Sequence, residues 1–221
     1  MSYDWKFLTD IQKSVFDGIE VQRNPGQITG WMADEFPRNF EQFVKSYNKD
    51  DILTVIEVGT WKGLSANTMA NICKAYHVNA KIVCIDTWLG SPEHMEGESA
   101  SYGMQRINGI PTLFMEFAQN TKTARNNDII YPFPISSVQG AIYLERKNMV
   151  ADMIYIDAGH EYDSVLLDIK SFWPMVKSGG RMVCDDWKWP GVKSAILDFF
   201  QQRDDCDIQI GEFQVVIVKT K

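Results

Sequence analysis

The chain has 221 residues, 45% apolar and 23% charged, an ordinary globular composition with ample length for a buried core. A formal net charge of −7 and a pI near 5.0 repel phosphate backbones, and no run of Lys and Arg offsets this, so nucleic acid is not an expected partner. No segment approaches the roughly 20 apolar residues of a membrane span. The N-terminal MSYDWKFLTD lacks a signal peptide's basic-then-apolar order. Cys73, Cys84, Cys184 and Cys206 are scattered without a CxxC spacing, which argues against a thiolate zinc site and for a reducing, cytoplasmic setting.

The first fifty residues are polar with scattered aromatics. Pro25-Gly26 and Gly30 punctuate a loop, and Phe40, Phe43, Val44 and Tyr47 then mark one face of a helix. From Ile52 to Val58 an apolar run ends at Gly59, as expected of a strand buried on both faces. The pattern continues with a helix over 63–77, a strand over 81–86, an irregular stretch over 87–108 and a helix over 113–125. A strand over 128–135 is weakened by Pro132 and Pro134. A helix over 138–147 and a strand over 152–157 come next. A helix over 161–177 is predicted to stop at Ser178-Gly179-Gly180. A strand over 181–185 and an amphipathic segment over 192–202 follow. Two final strands, 207–210 and 212–219, turn at Gly211 and must pair antiparallel. This alternation predicts a doubly wound, mostly parallel seven-stranded sheet with a C-terminal antiparallel strand pair. Residues 1–50 read as an N-terminal extension packing on the domain formed by 51–221.

Open parallel sheets bind ligands beyond the carboxyl ends of their strands. The first such end reads Glu57-Val58-Gly59-Thr60-Trp61-Lys62-Gly63, and the second ends in Asp86, placed to accept hydrogen bonds from ribose hydroxyls. Two glycines spaced G-x-x-x-G, in place of G-x-G-x-x-G, suggest a nucleoside without a pyrophosphate. This loop resembles the E/D-x-G-x-x-x-G nucleoside-binding loop of class I S-adenosylmethionine-dependent methyltransferases. Trp88 either stacks on a purine or pins the long loop to the body of the protein.

The fourth strand ends in Asp157-Ala158-Gly159-His160 and the fifth in Asp185-Asp186-Trp187. Neighbouring strand ends would gather three carboxylates and an imidazole. Repulsion should raise their pKa values, and a divalent cation would relieve it. Oxygen donors suit magnesium, calcium or manganese. Taken singly, Asp157 and Asp186 also read as capping residues and His160 as a donor to a backbone carbonyl.

The block Ile156-Asp157-Ala158-Gly159-His160-Glu161-Tyr162, with Asp168, Trp173-Pro174, Gly179-Gly180 and Asp185-Asp186-Trp187, resembles small class I O-methyltransferases, including the metal-dependent enzymes that methylate macrolide sugars. The resemblance runs from about Gly30 to Phe199. It implies magnesium on Asp157, Asp185 and Asp186, with His160 as the base and Asp157 also catalytic. It also implies an S-adenosylmethionine site formed by Glu57, Gly59, Thr60, Gly63, Ser65, Asp86, Thr87, Trp88, Ser136, Ser137 and Asp157. Ser136 stands where many relatives carry an Asp. Asp168 is expected to be structural.

The expected partner is a small hydroxylated acceptor, with a homo-oligomer possible. Trp31, Met32, His94, Met95, Tyr102, Met104 and Arg106 are candidates for the acceptor side. Two other readings are a non-catalytic cofactor-binding protein, which has no use for the carboxylate cluster, and a nicotinamide-dependent oxidoreductase, which wants a third glycine.

Overall fold

The computed structural model describes residues 3–21, 26–94 and 104–221. In chain order the elements are α1 (Lys6–Asp17), α2 (Phe36–Ser46), β1 (Leu53–Val58), α3 (Leu64–Ala75), β2 (Ala80–Asp86), β3 (Arg106–Ile107), β4 (Ile110–Pro111), α4 (Leu113–Thr123), β5 (Ile130–Pro134), α5 (Ser137–Arg146), β6 (Ala151–Ile156), α6 (Tyr162–Phe172), β7 (Val176–Cys184), α7 (Pro190–Phe200), β8 (Cys206–Ile210) and β9 (Val215–Lys219). The candidates Met95 and Tyr102 lie outside the described residues.

The apolar runs form the middle of a seven-stranded sheet ordered β5-β2-β1-β6-β7-β9-β8. β1 is buried at every position, flanked in parallel by β2 and β6, and β9 pairs antiparallel with both β7 and β8. Pro132 and Pro134 donate no ladder hydrogen bond, and β5 accordingly sits at the edge.

Alternate residues of the strands feed two cores. Val55, Ile82, Cys84 and Tyr155 meet α2, α3 and α4 on one face, while Ile56, Ile85, Ile154 and Cys184 meet α5, α6 and α7 on the other. Burying a residue such as Ile56 or Phe172, both at 0% exposure, contributes about 1.5–3 kcal/mol each. α1 packs along β5, with Leu8 in one core and Phe16 in the other, and so shields an edge strand from pairing with other chains.

Two elements depart from the sequence reading. The helix predicted over 161–177 ends at Phe172, because Pro174 breaks its hydrogen-bond ladder within the 3-10 turn Trp173–Met175. Val176 and Lys177 then open β7, and Gly179, with φ +78, lies inside that strand instead of stopping a helix. The short hairpin β3–β4 falls within and just beyond the stretch expected to be irregular.

No helix among the described residues is long and apolar enough to cross a membrane.

Candidate active site

The carboxyl ends of β2, β1 and β6 open into one cavity of about 500 Å³, within the usual range for small-molecule sites. Its floor is fixed by backbone hydrogen bonds that carry the strands past their last ladder residues: Gly59 N–H to Ile85 O (2.9 Å), Asp157 N–H to Val58 O (2.9 Å) and Asp185 N–H to Ile156 O (3.0 Å). Gly59 adopts φ +85, and a Cβ there would lie 2.0 Å from the Asp157 carbonyl oxygen. Only glycine permits this approach of the first and fourth strand ends.

Asp86 organises the loop after β1. Its Oδ2 accepts the Thr60 N–H at 2.9 Å and the Trp61 N–H at 2.8 Å, and its Oδ1 accepts the Trp88 N–H at 2.7 Å. A carboxylate has about four lone-pair positions, so capacity remains for a ligand hydroxyl. Trp61, at φ 49, is held in the left-handed region that this turn requires.

Gly59, Thr60, Ser65, Asp86, Thr87, Ser136, Ser137, Asp157, His160 and Asp186 all line the cavity. Glu57, Gly63, Trp88 and Asp185 do not. Glu57 is fully buried beneath the loop, where it accepts hydrogen bonds from Thr60 Oγ1 (2.8 Å) and Ser65 Oγ (2.5 Å). Burial outweighs those bonds and pushes its carboxyl up to about 7. Gly63, at φ +85, is the N-cap of α3. Trp88 is 2% exposed, packs on Phe114 and Phe117, and donates through Nε1 to the Trp61 carbonyl at 2.7 Å. Of its two expected roles, it therefore pins the loop and does not present a face to the cavity.

The acidic cluster is close but divided. Asp157 is held well above the ordinary carboxylate range by burial, and after that by the charges of Asp185, Asp186 and Glu57. Asp185 is drawn to the Tyr155 hydroxyl, to the Asp186 N–H at 2.8 Å and to the Ala33 N–H at 3.4 Å. Burial nonetheless raises its carboxyl. Asp186, in the left-handed region at φ 61, places Oδ2 2.9 Å from His160 Nε2. A carboxylate there accepts the ring N–H when Nε2 carries the proton, and so orients the imidazole. Among the described residues, no group of three His, Cys, Asp and Glu side chains is arranged to hold a metal ion.

The expected acceptor-side residues separate. Trp31 and His94 line the cavity, with His94 stacked on Trp61 at 4.2 Å between ring centroids. Met104 is core, Met32 packs on the core, and Arg106 is exposed on β3.

One residue escaped the sequence reading. Trp189 lines the cavity and stacks on His160 at 4.4 Å and 16°. Its signal was an aromatic just after the acid pair and before Pro190-Gly191. Asp168, expected to be structural, is buried at 5% exposure. Burial lifts its carboxyl to about 6, opposed by the neighbouring Ser137 hydroxyl, which belongs to the cavity lining.

The family model described as a methyltransferase domain matches residues 56–187, which span β1 to the turn after β7. The chain belongs to the methyltransferase domain family. The methyltransferase is 25% identical over 178 residues to the uncharacterized protein R132 of Acanthamoeba polyphaga mimivirus, covering 78% of this chain and 68% of that protein. Its fold is that of the O-methyltransferase NovP (19% identity, 99% and 100% of the two chains, TM-score 0.60). It is also that of the calicheamicin methyltransferase CalS11 (14%, 99% and 93%, TM-score 0.58) and of an O-methyltransferase from Bacillus cereus solved with S-adenosylhomocysteine (13%, 99% and 93%, TM-score 0.56). The family and the Rossmann-like fold make S-adenosylmethionine the methyl donor of this methyltransferase.

Proposed function

We propose that this methyltransferase methylates a hydroxyl of a small molecule, with His160 as the general base. The observation that carries this reading is the His160–Asp186 pair, set in the same cavity as Asp86 and Gly59. Asp86, at the end of β2, is the acceptor for the ribose hydroxyls, with Thr87, Ser136 and Ser137 on the adenine side. Gly59, Thr60, Ser65 and Asp157 border the methionyl portion. Glu57, Gly63 and Trp88 shape this site without facing it.

An acceptor hydroxyl beside His160 passes its proton to the imidazole while its oxygen bonds to the methyl carbon. The carbon–sulfur bond breaks, and its electron pair stays on sulfur. Asp186 stabilises the imidazolium that results, the kind of proton transfer that contributes about 10²–10⁴-fold to rate. Holding both reactants in one cavity removes the entropic penalty of bringing them together.

The donor chemistry of Asp157, Asp185 and Asp186 suits a divalent cation such as magnesium. Their present arrangement does not converge, since Asp185 is held by Tyr155 and Asp186 by His160. Bound there, such an ion would supply Lewis acidity to the acceptor oxygen. Calorimetric titration with S-adenosylhomocysteine, with and without magnesium, tests both parts. Micromolar binding supports the cofactor assignment, and its absence under both conditions breaks it. Separately, a magnesium-dependent rise in melting temperature that disappears in Asp185→Asn supports the cation, and no rise removes it.

The four cysteines are free, and the net charge of −7 disfavours a nucleic-acid acceptor.

A further inference from the structure

The cavity walls carry an uneven set of charges. Among the described residues that line it, Asp86, Asp157 and Asp186 are the acids, and no Lys or Arg is present. Lys62 belongs to the loop after β1 but is drawn away, its Nζ lying 2.9 Å from Glu116 Oε2 on α4. A phosphate or carboxylate entering this space would meet three carboxyl groups and, as bases among the described lining residues, only the imidazoles of His94 and His160. Even a divalent cation held by Asp157, Asp185 and Asp186 would carry less charge than its three ligands. An anionic acceptor therefore loses its hydration with no permanent cation among these described residues to pair it.

The second feature is the shelf beside the base. The turn after β7 holds His160 on two sides: Asp186 reaches its Nε2, and Trp189 lies along its ring. The Trp189 N–H donates to the Asp186 carbonyl at 2.8 Å, which sets the two side chains at a fixed spacing. The start of α7 is in turn pressed against the His160 segment, since a Cβ on Gly191 would come within 2.3 Å of the His160 carbonyl oxygen. Trp189 is thus rigidly placed, yet it remains 49% exposed and lines the cavity. A group delivering a hydroxyl to His160 meets this indole on the cavity wall beside it. An indole face attracts flat rings and cations and gives nothing to an anion.

From these two features we infer that the acceptor is an uncharged or cationic hydroxylated ring lying against Trp189, and that acceptors bearing phosphate or carboxylate are excluded. This rests on the assignment of His160 as the base and deepens it by naming the acceptor's chemical class. Trp189 is then a specificity-determining residue.

The test uses three probes that share one hydroxylated ring and differ in charge: 4-hydroxyphenylethanol (neutral), tyramine (cationic) and 4-hydroxyphenylacetate (anionic). Each is titrated into the full chain by ligand-observed NMR, with and without S-adenosylhomocysteine, in magnesium chloride and in EDTA. The neutral and cationic probes are expected to bind about tenfold or more tighter than the anion. Trp189→Ala is expected to weaken them about tenfold, whereas Trp189→Phe, which keeps a ring, stays within about threefold of the parent. Equal or tighter binding of the anion overturns the inference, as does a lack of saturable binding by any probe. So does parental affinity in a Trp189→Ala protein that melts cooperatively. If that variant does not fold, the charge series on the parent chain still decides. Failure of S-adenosylhomocysteine itself to bind would count against the cofactor assignment and leaves the charge series readable.

Discussion

Gly59 and Asp157 meet across the ends of two neighbouring strands so closely that no side chain fits between them, a Cβ at position 59 lying 2.0 Å from the Asp157 carbonyl oxygen. The floor of the active site is thus a backbone-to-backbone contact. Gly59→Ala combines a left-handed φ of +85 with a steric overlap, and is expected to destabilise the fold by at least about 2 kcal/mol. Chemical denaturation measures this, and an unchanged midpoint would refute the contact.

Asp86 has two duties, ribose acceptor and anchor of the loop through the Thr60 and Trp61 N–H groups. Asp86→Ala should weaken S-adenosylhomocysteine binding about 10- to 100-fold, the equivalent of one lost charge-assisted hydrogen bond of roughly 1.5–3 kcal/mol. The far-ultraviolet circular dichroism should stay that of the parent. Normal affinity in this variant would remove Asp86 from the cofactor site.

Glu57 makes stability depend on pH. Its carboxyl is raised from 4.5 to about 7 by burial, so the fold favours the protonated form. That contribution is full below about 4.5 and is lost as the pH climbs through about 7. Glu57→Gln keeps a neutral group of the same shape, and the fall in melting temperature between pH 5 and roughly pH 7 should become shallower than in the parent. A parental slope would assign the dependence elsewhere.

His160 and Asp186 act on the proton, not on the cofactor. His160→Gln and Asp186→Asn should each lower the rate of methyl transfer about 10²–10⁴-fold while S-adenosylhomocysteine affinity stays within a few-fold of the parent. A parallel loss of affinity would make the pair part of the cofactor site.

Trp88 closes the loop by packing and by one hydrogen bond. Trp88→Phe leaves the Trp61 carbonyl without its 2.7 Å donor and opens a void, together about 1–3 kcal/mol. Thermal melting would show this as a drop of several degrees, and an unchanged melting temperature would mean that the loop is held elsewhere.

The sheet was legible because β1, β2 and β6 are apolar runs that no surface element could afford to expose. Doubly wound topology then puts Asp86, Asp157 and Asp186 at one end of the sheet. α1 was not legible, since Leu8 and Phe16 are isolated among polar residues and gain meaning only against β5 and the two cores. The end of α6 was misread because apolar periodicity continues through Trp173 and Val176, and Pro174 decides the matter locally. Sequence also placed Trp88 and Asp185 at the right strand ends but did not show which way they turn. Tertiary partners set that direction: Phe114 and Phe117 for the indole, Tyr155 for the carboxyl.

The Glu35 carboxylate, at the N-cap of α2, accepts the N–H groups of Glu212, Phe213 and Gln214 at 3.0–3.2 Å. Burial opposes its ionisation, yet these bonds outweigh it and keep the carboxyl below its usual range. The same segment sends the Ala33 N–H to Asp185 and places Trp31 on the cavity wall. During synthesis the strap over the acidic cluster is thus fastened only after residue 214 has left the ribosome. The residues that line the cavity, the last of them Trp189, are all made before the contacts that fasten this strap.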